Sequence, residues 1–120
     1  GYQPLPHFAA YAASKAYVLH FSEALSAELA PSGVTVTCYG PGPTGTNFFG
    51  GAGITQQTTS AFNADGLARV DDVAADAWRA LERKKMTAVY GSSTKLLLFL
   101  ERLVPRRVVV AITKRMMAKR

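Results

Sequence analysis

The sequence predicts an α/β fold built on a parallel sheet. Stretches with apolar residues at helical spacing alternate with short runs of strand formers. Two such strand runs end against glycine, at Gly40 and Gly91. Helix, strand, loop, helix, strand is the rhythm of βα units. A parallel sheet is buried on both faces and needs several neighbouring strands, so two strands are expected to belong to a larger sheet. The opening Gly1-Tyr2-Gln3-Pro4 has no initiator Met, basic leader or apolar leader, as expected where a chain begins partway through a protein.

The elements run in this order. Gly1 to Phe8, with Pro4 and Pro6, reads as a loop. About Ala9 to Ala30 is rich in Ala, Leu and Glu, with Val18, Phe21, Leu25 and Leu29 at helical spacing, and Pro31-Ser32-Gly33 stops it. Val34 to Tyr39 is a β-branched run and a strand. Gly40 to about Asn63 is a long Gly/Pro/Thr/Asn-rich loop, expected to hold a short helix near Thr55–Phe62; loops of that length tend to be functional. Asp71 is expected to cap a helix with the stripe Val73, Ala74, Ala77, Trp78 and Leu81, and Trp78 to be core. Met86 to Tyr90 is a second strand, followed by a Leu-rich helix at about Thr94–Leu103 and a last amphipathic helix opened by Pro105. Residues 1–93 read as one α/β unit and 94–120 as a basic helical extension.

Charge divides the chain at the same place. The net charge is +6, yet residues 102–120 alone carry Arg102, Arg106, Arg107, Lys114, Arg115, Lys119 and Arg120 with no acid, which is +7. The first 101 residues, with seven bases against eight acids, stand at −1. One cysteine, Cys38, excludes an internal disulfide framework, fits a reducing cytosol and reads as a buried core thiol. The longest apolar run, Leu96–Leu100, is too short to span a bilayer.

The chemistry-bearing residues lie near the start. Tyr11-Ala12-Ala13-Ser14-Lys15 stacks a phenol and an ammonium four residues apart on one helix face. In a chain with five Tyr and fourteen bases that spacing alone is weak, since a solvated Lys beside an exposed Tyr gives it too. The order of the neighbouring motifs is more specific. Phe21-Ser22-Glu23-Ala24-Leu25 sits on the same helix; then come Gly33-Val34-Thr35-Val36 and Pro41-Gly42-Pro43-Thr44-Gly45-Thr46.

Taken together these motifs resemble the short-chain dehydrogenase/reductase family, continuously from Gly1 to about Phe49. A looser match runs through Asp71-Asp72-Val73-Ala74 to the chain end. The resemblance implies the C-terminal part of a doubly wound, Rossmann-like sheet, with C-terminal amphipathic helices. It also implies reversible hydride transfer between NAD or NADP, which these residues do not distinguish, and a carbonyl/alcohol substrate. Tyr11 is then the general acid/base. Tyrosine's free pKa near 10 makes it a poor base at neutral pH, and a neighbouring cation such as Lys15 favours the phenolate. The resemblance also gives Tyr11 and Lys15 a place at the cofactor, Lys15 on the nicotinamide ribose hydroxyls, and sets Pro41, Gly42, Thr44 and Thr46 around the nicotinamide. The family's pyrophosphate turn and its catalytic serine fall, by position, before Gly1.

A rival dinucleotide fingerprint lies in the same loop. Gly40-Pro41-Gly42-Pro43-Thr44-Gly45 satisfies G-x-G-x-x-G, with Asp65 twenty residues past Gly45. Such a loop binds pyrophosphate through backbone N–H groups at a helix N-terminus, and Pro41 and Pro43 have none. The fingerprint is rejected on that ground. His7 and His20 lack partners at metal-ligand spacing, and Gly50, Gly51 and Gly53 read as a lid or a loose loop. Expected partners are a small-molecule carbonyl or alcohol and a second copy through the Ala9–Ala30 helix. The tail fits either contact with a membrane surface or packing on the protein; nucleic acid is not expected, because the tail lacks aromatics. A non-catalytic membrane-surface or interaction module is the alternative to the enzyme, and the expected location is cytoplasmic, with the tail at a membrane periphery.

Overall fold

The computed structural model describes residues 1–42, 44–45 and 67–117. Between Ala9 and Leu29 the one β-branched residue is Val18, and Ala, Leu and Glu favour helix; α1 spans this stretch, Ala9–Leu29. Pro31 lies inside a single 3-10 turn, Ala30–Ser32, that closes the helix. Gly33 comes next at φ +80 and donates its N–H to the Ala30 carbonyl. That left-handed conformation costs an ordinary L-residue roughly 1–2 kcal/mol, which glycine avoids.

The chain then enters β1, Cys38–Gly40, which pairs in parallel with β2, Thr87–Val89. The register is Cys38 with Thr87, Tyr39 with Ala88 and Gly40 with Val89. Two bonds extend the ladder: Cys38 N–H to the Met86 carbonyl and Tyr90 N–H to the Gly40 carbonyl, each 2.9 Å. The α/β expectation is met, but the strands are shorter than the residue pattern implies. A ladder forms only where a second backbone lies alongside, and β2 reaches no further back than Cys38, so Val34 to Thr37 stay outside it. Cys38 is half-buried rather than a core thiol.

Packing on the sheet overturns parts of the expected helix faces. On α1, Ala12 and Leu19 are buried while Val18 and Phe21 are about half exposed, because Ala12 and Leu19, seven residues apart, share the packed face and Phe21 lies opposite it. Helix α2, Val70–Glu82, takes Arg69 as its N-cap, without a side-chain cap, and Asp71 falls in its first turn. There Asp71 and Asp72 complement the helix dipole and pair loosely with Arg69 at 3.8 and 3.9 Å. The buried positions of α2 are Val73 and Ala80, whereas Trp78 is 62% exposed. Trp78 is therefore not core; its indole N–H donates to Glu82 at 2.9 Å. The reason is a polar tie. The Tyr39 hydroxyl on β1 donates to Asp76 of α2 at 2.8 Å, which turns the Val73–Asp76–Ala80 face inward and Trp78 outward.

Two helices end the described chain: α3, Ser92–Glu101, and α4, Arg106–Met117. Gly91, at φ +84, starts α3. Gln3 Nε2 donates to Glu101 at 2.9 Å and so fastens the N-terminal segment to α3. On α4, Val109 and Thr113 are buried, and the Thr113 hydroxyl is satisfied by the Val109 and Val110 carbonyls. The expected helix near Thr55–Phe62, the glycines of the supposed lid and Asp65 lie outside the described residues.

The Tyr39–Asp76 tie makes stability depend on pH at both ends. Burial, then the bond to the carboxylate, raise the Tyr39 pKa. The same bond, ahead of Lys95 and Arg79, lowers that of Asp76. A lowered carboxyl contributes stability above its unfolded pKa and loses it as pH falls through the folded value. A raised phenol contributes stability below its unfolded pKa and loses it as pH rises through the folded value. Tyr39→Phe should cost about 1 kcal/mol at neutral pH and flatten the loss of stability below about pH 4. Thermal melts across pH check this; an unchanged acid limb in the variant would count against the tie.

Candidate active site

Ala12 is buried and docks the first turns of α1. Two of its helix neighbours, one position before and three after it, reach solvent. These are Tyr11, 43% exposed, and Lys15, also exposed. The Lys15 ammonium lies 5.4 Å from the centroid of the Tyr11 ring, within cation–π range and worth roughly 0.5–1 kcal/mol at an exposed position. Ser14 turns its hydroxyl back to the Tyr11 carbonyl at 2.7 Å. Gly1 packs against the same turn, where an added Cβ would stand 2.8 Å from the Lys15 carbonyl oxygen.

The second group leaves the carboxyl end of β1, the strand on which α1 packs. Pro41 and Gly42 are exposed and Thr44 is half-buried. Thr44 closes the turn on itself, its hydroxyl donating to the Gly42 carbonyl at 3.2 Å and, more weakly, to that of Pro41 at 3.4 Å. Thr44 also bridges Ala68 in parallel, and Gly45 N–H donates to the Ala68 carbonyl at 3.1 Å. Gly42 has φ +66, and an added Cβ there would meet nothing nearer than Thr94 Oγ1 at 4.0 Å. Backbone conformation requires glycine here, and no other described residue comes within 4 Å of the added Cβ. Tyr11 is thus brought to Lys15, and Pro41 and Gly42 to Thr44. Thr46 lies outside the described residues. The rival phosphate fingerprint loses further ground, since the Gly45 N–H is already engaged.

Some features are not apparent in the sequence. Arg79 lies 3.6 Å from Asp76, beside a cavity of about 290 Å³ lined in part by Arg79, Arg83, Lys85 and Lys95. A clue exists in the basic residues Arg79, on α2, and Arg83, its C-cap four residues later, but only the fold adds Lys95 from α3. A larger cavity of about 460 Å³ lies between Tyr2, β2, α3 and α4. Tyr11, Lys15 and the Pro41–Thr44 turn line neither cavity. His20 pairs with Glu23 at 3.5 Å on the surface of α1.

Residues 1–58 match the family described as short chain dehydrogenase, a segment that contains Tyr11, Lys15 and the loop after β1. Over 41 residues the chain is 54% identical to uncharacterized oxidoreductase YjdA of Bacillus subtilis (strain 168), which is 34% of this chain and 16% of that protein. Over 61 residues it is 39% identical to uncharacterized oxidoreductase YghA of Escherichia coli (strain K12), 51% of this chain and 21% of that protein. The chain thus spans about a fifth or less of the length of these relatives. No solved structure matches it. The parallel β1–β2 pair, the order of the motifs along α1, β1 and the loop, and these matches agree in supporting a fragment of the short-chain dehydrogenase family, carried by residues 1–58.

Proposed function

We propose that this chain supplies the acid/base pair and the nicotinamide-facing loop of an NAD(P)-dependent dehydrogenase/reductase acting on a small carbonyl or alcohol. The observation that carries the reading is the Lys15 ammonium 5.4 Å from the ring of a solvent-accessible Tyr11. The residues suit the cofactor in kind. Lys15 forms no ion pair with a described residue and has three N–H donors. Among the described residues, only Thr94 Oγ1 comes as near as 4.0 Å to where a Cβ on Gly42 would stand.

When bound, a nicotinamide supplies or accepts the hydride. Tyr11 gives its phenolic proton to the carbonyl oxygen in reduction, or takes the alcohol proton in oxidation. The Lys15 charge stabilises the anion left when that proton departs, and its N–H groups would hold the ribose hydroxyls. Pro41, Gly42, Thr44 and Thr46 would line the nicotinamide, with a Thr hydroxyl able to donate and accept.

The same helix offers a place for a second copy of the chain. Tyr17, Val18 and Phe21 are exposed on α1, and the Tyr17 and Phe21 rings stack with centroids 5.9 Å apart. Phe21→Glu should shift the protein toward monomer in sedimentation velocity without lowering its melting temperature; an unchanged oligomeric state would remove this face from the assembly.

In the full-length protein, Tyr11→Phe should lower turnover by about 10²–10⁴-fold while leaving cofactor affinity and melting temperature near those of the parent. Lys15→Met should weaken cofactor binding as well as turnover. Steady-state kinetics and cofactor titration separate the two; near-normal turnover in the Phe variant would make Tyr11 a bystander.

A further inference from the structure

We propose that α3 and α4 form a reversible docking surface for an anionic lipid membrane. Helix α3 turns Thr94, Leu98 and Glu101 partly inward and leaves Leu96, Leu97, Phe99 and Leu100 exposed; Leu103 beyond its end is 71% exposed. Helix α4 uses Val109 and Thr113 for packing. Its next apolar stripe, Val108, Ile112 and Met116, is spaced i, i+4, i+8 and is 44%, 52% and 49% exposed. Packing on the described protein therefore does not use that stripe.

Charge selects the occupant. Arg102, Arg106, Arg107, Lys114 and Arg115 accompany these apolar residues, and none forms an ion pair with a described residue. With about 100° per residue on a helix, Arg115 borders the Val108–Met116 stripe, and Arg107 and Lys114 stand together on the side away from it. An apolar stripe with one base at its border and two on the opposite face, and with no acid from residue 102 onward, is how an interfacial helix lies in a headgroup layer. A soluble acidic partner would account for the bases and leave the Leu96–Leu103 and Val108–Met116 surfaces uncovered. No helix among the described residues is long and apolar enough to cross a membrane, so the contact is with the surface.

Vesicle co-sedimentation of the full chain tests this, using phosphatidylserine/phosphatidylcholine vesicles against phosphatidylcholine alone. Binding should require the anionic lipid and fall as salt rises. The triple substitution Arg107→Gln, Lys114→Gln and Arg115→Gln should weaken it by up to about fivefold per base. Ile112→Ser with Met116→Ser, at exposed positions and checked for an unchanged melting temperature, should also abolish it. No binding to anionic vesicles at low salt would overturn the proposal, as would equal binding to neutral vesicles. So would retention by duplex DNA without vesicle binding, or an Ile112/Met116 variant whose only change in sedimentation velocity is from dimer to monomer, again without vesicle binding by the parent.

Discussion

The parallel pairing of β1 with β2 is the constraint on which the described structure turns. Two parallel strands cannot be joined by a tight turn, so the chain between them must cross over and return, and α2 lies in that crossover. The register that sets Cys38 against Thr87 and Gly40 against Val89 also fixes where β1 stops. Past Gly40 the backbone is released at the carboxyl end of the strand, where open α/β sheets place their ligands. That is where Pro41, Gly42 and Thr44 stand, and the Thr44–Ala68 bridge holds the turn beside the sheet. Helix α1, packed on the same strand, carries Tyr11 and Lys15.

Much of this is legible in the sequence, because it rests on period and punctuation. Four-residue spacing alone predicts that Tyr11 and Lys15 share a face of α1, and the structure has them adjacent. The positive φ of Gly42 is a finding of the structure that the Gly/Pro composition of the loop does not by itself specify. What the sequence does not convey is which face of a helix meets the sheet. Trp78 falls on the apolar stripe of α2, yet the Tyr39–Asp76 bond rotates it to solvent, and no periodic pattern encodes a bond between residues 37 positions apart. The same holds for Val18 and Phe21, which leave the packed side of α1 to Ala12 and Leu19. Composition overstates the strands because β-branched residues signal extended backbone, whereas a ladder also needs a neighbour.

The chain's chemistry and its charge occupy different ends. The segment matching the dehydrogenase family closes at residue 58, and the bases without acids begin at Arg102. Between them α2 and β2 complete the described sheet. The two ends are nonetheless in contact, because Gln3, a few residues before α1, hydrogen-bonds Glu101 at the end of α3. The proposed catalytic face and the proposed membrane-docking face, on one small scaffold, would bring the proposed carbonyl chemistry close to wherever the helical end rests.

The proposed chemistry requires Tyr11 and Lys15 to act as one unit. A double-mutant cycle on turnover in the full-length protein addresses this most directly, with Tyr11→Phe, Lys15→Met and the two combined. Groups that serve a single proton transfer are strongly non-additive. The combined variant should therefore turn over no more slowly than Tyr11→Phe by itself, within about threefold. Losses that multiply in the combined variant would show two independent contributions and contradict the pairing.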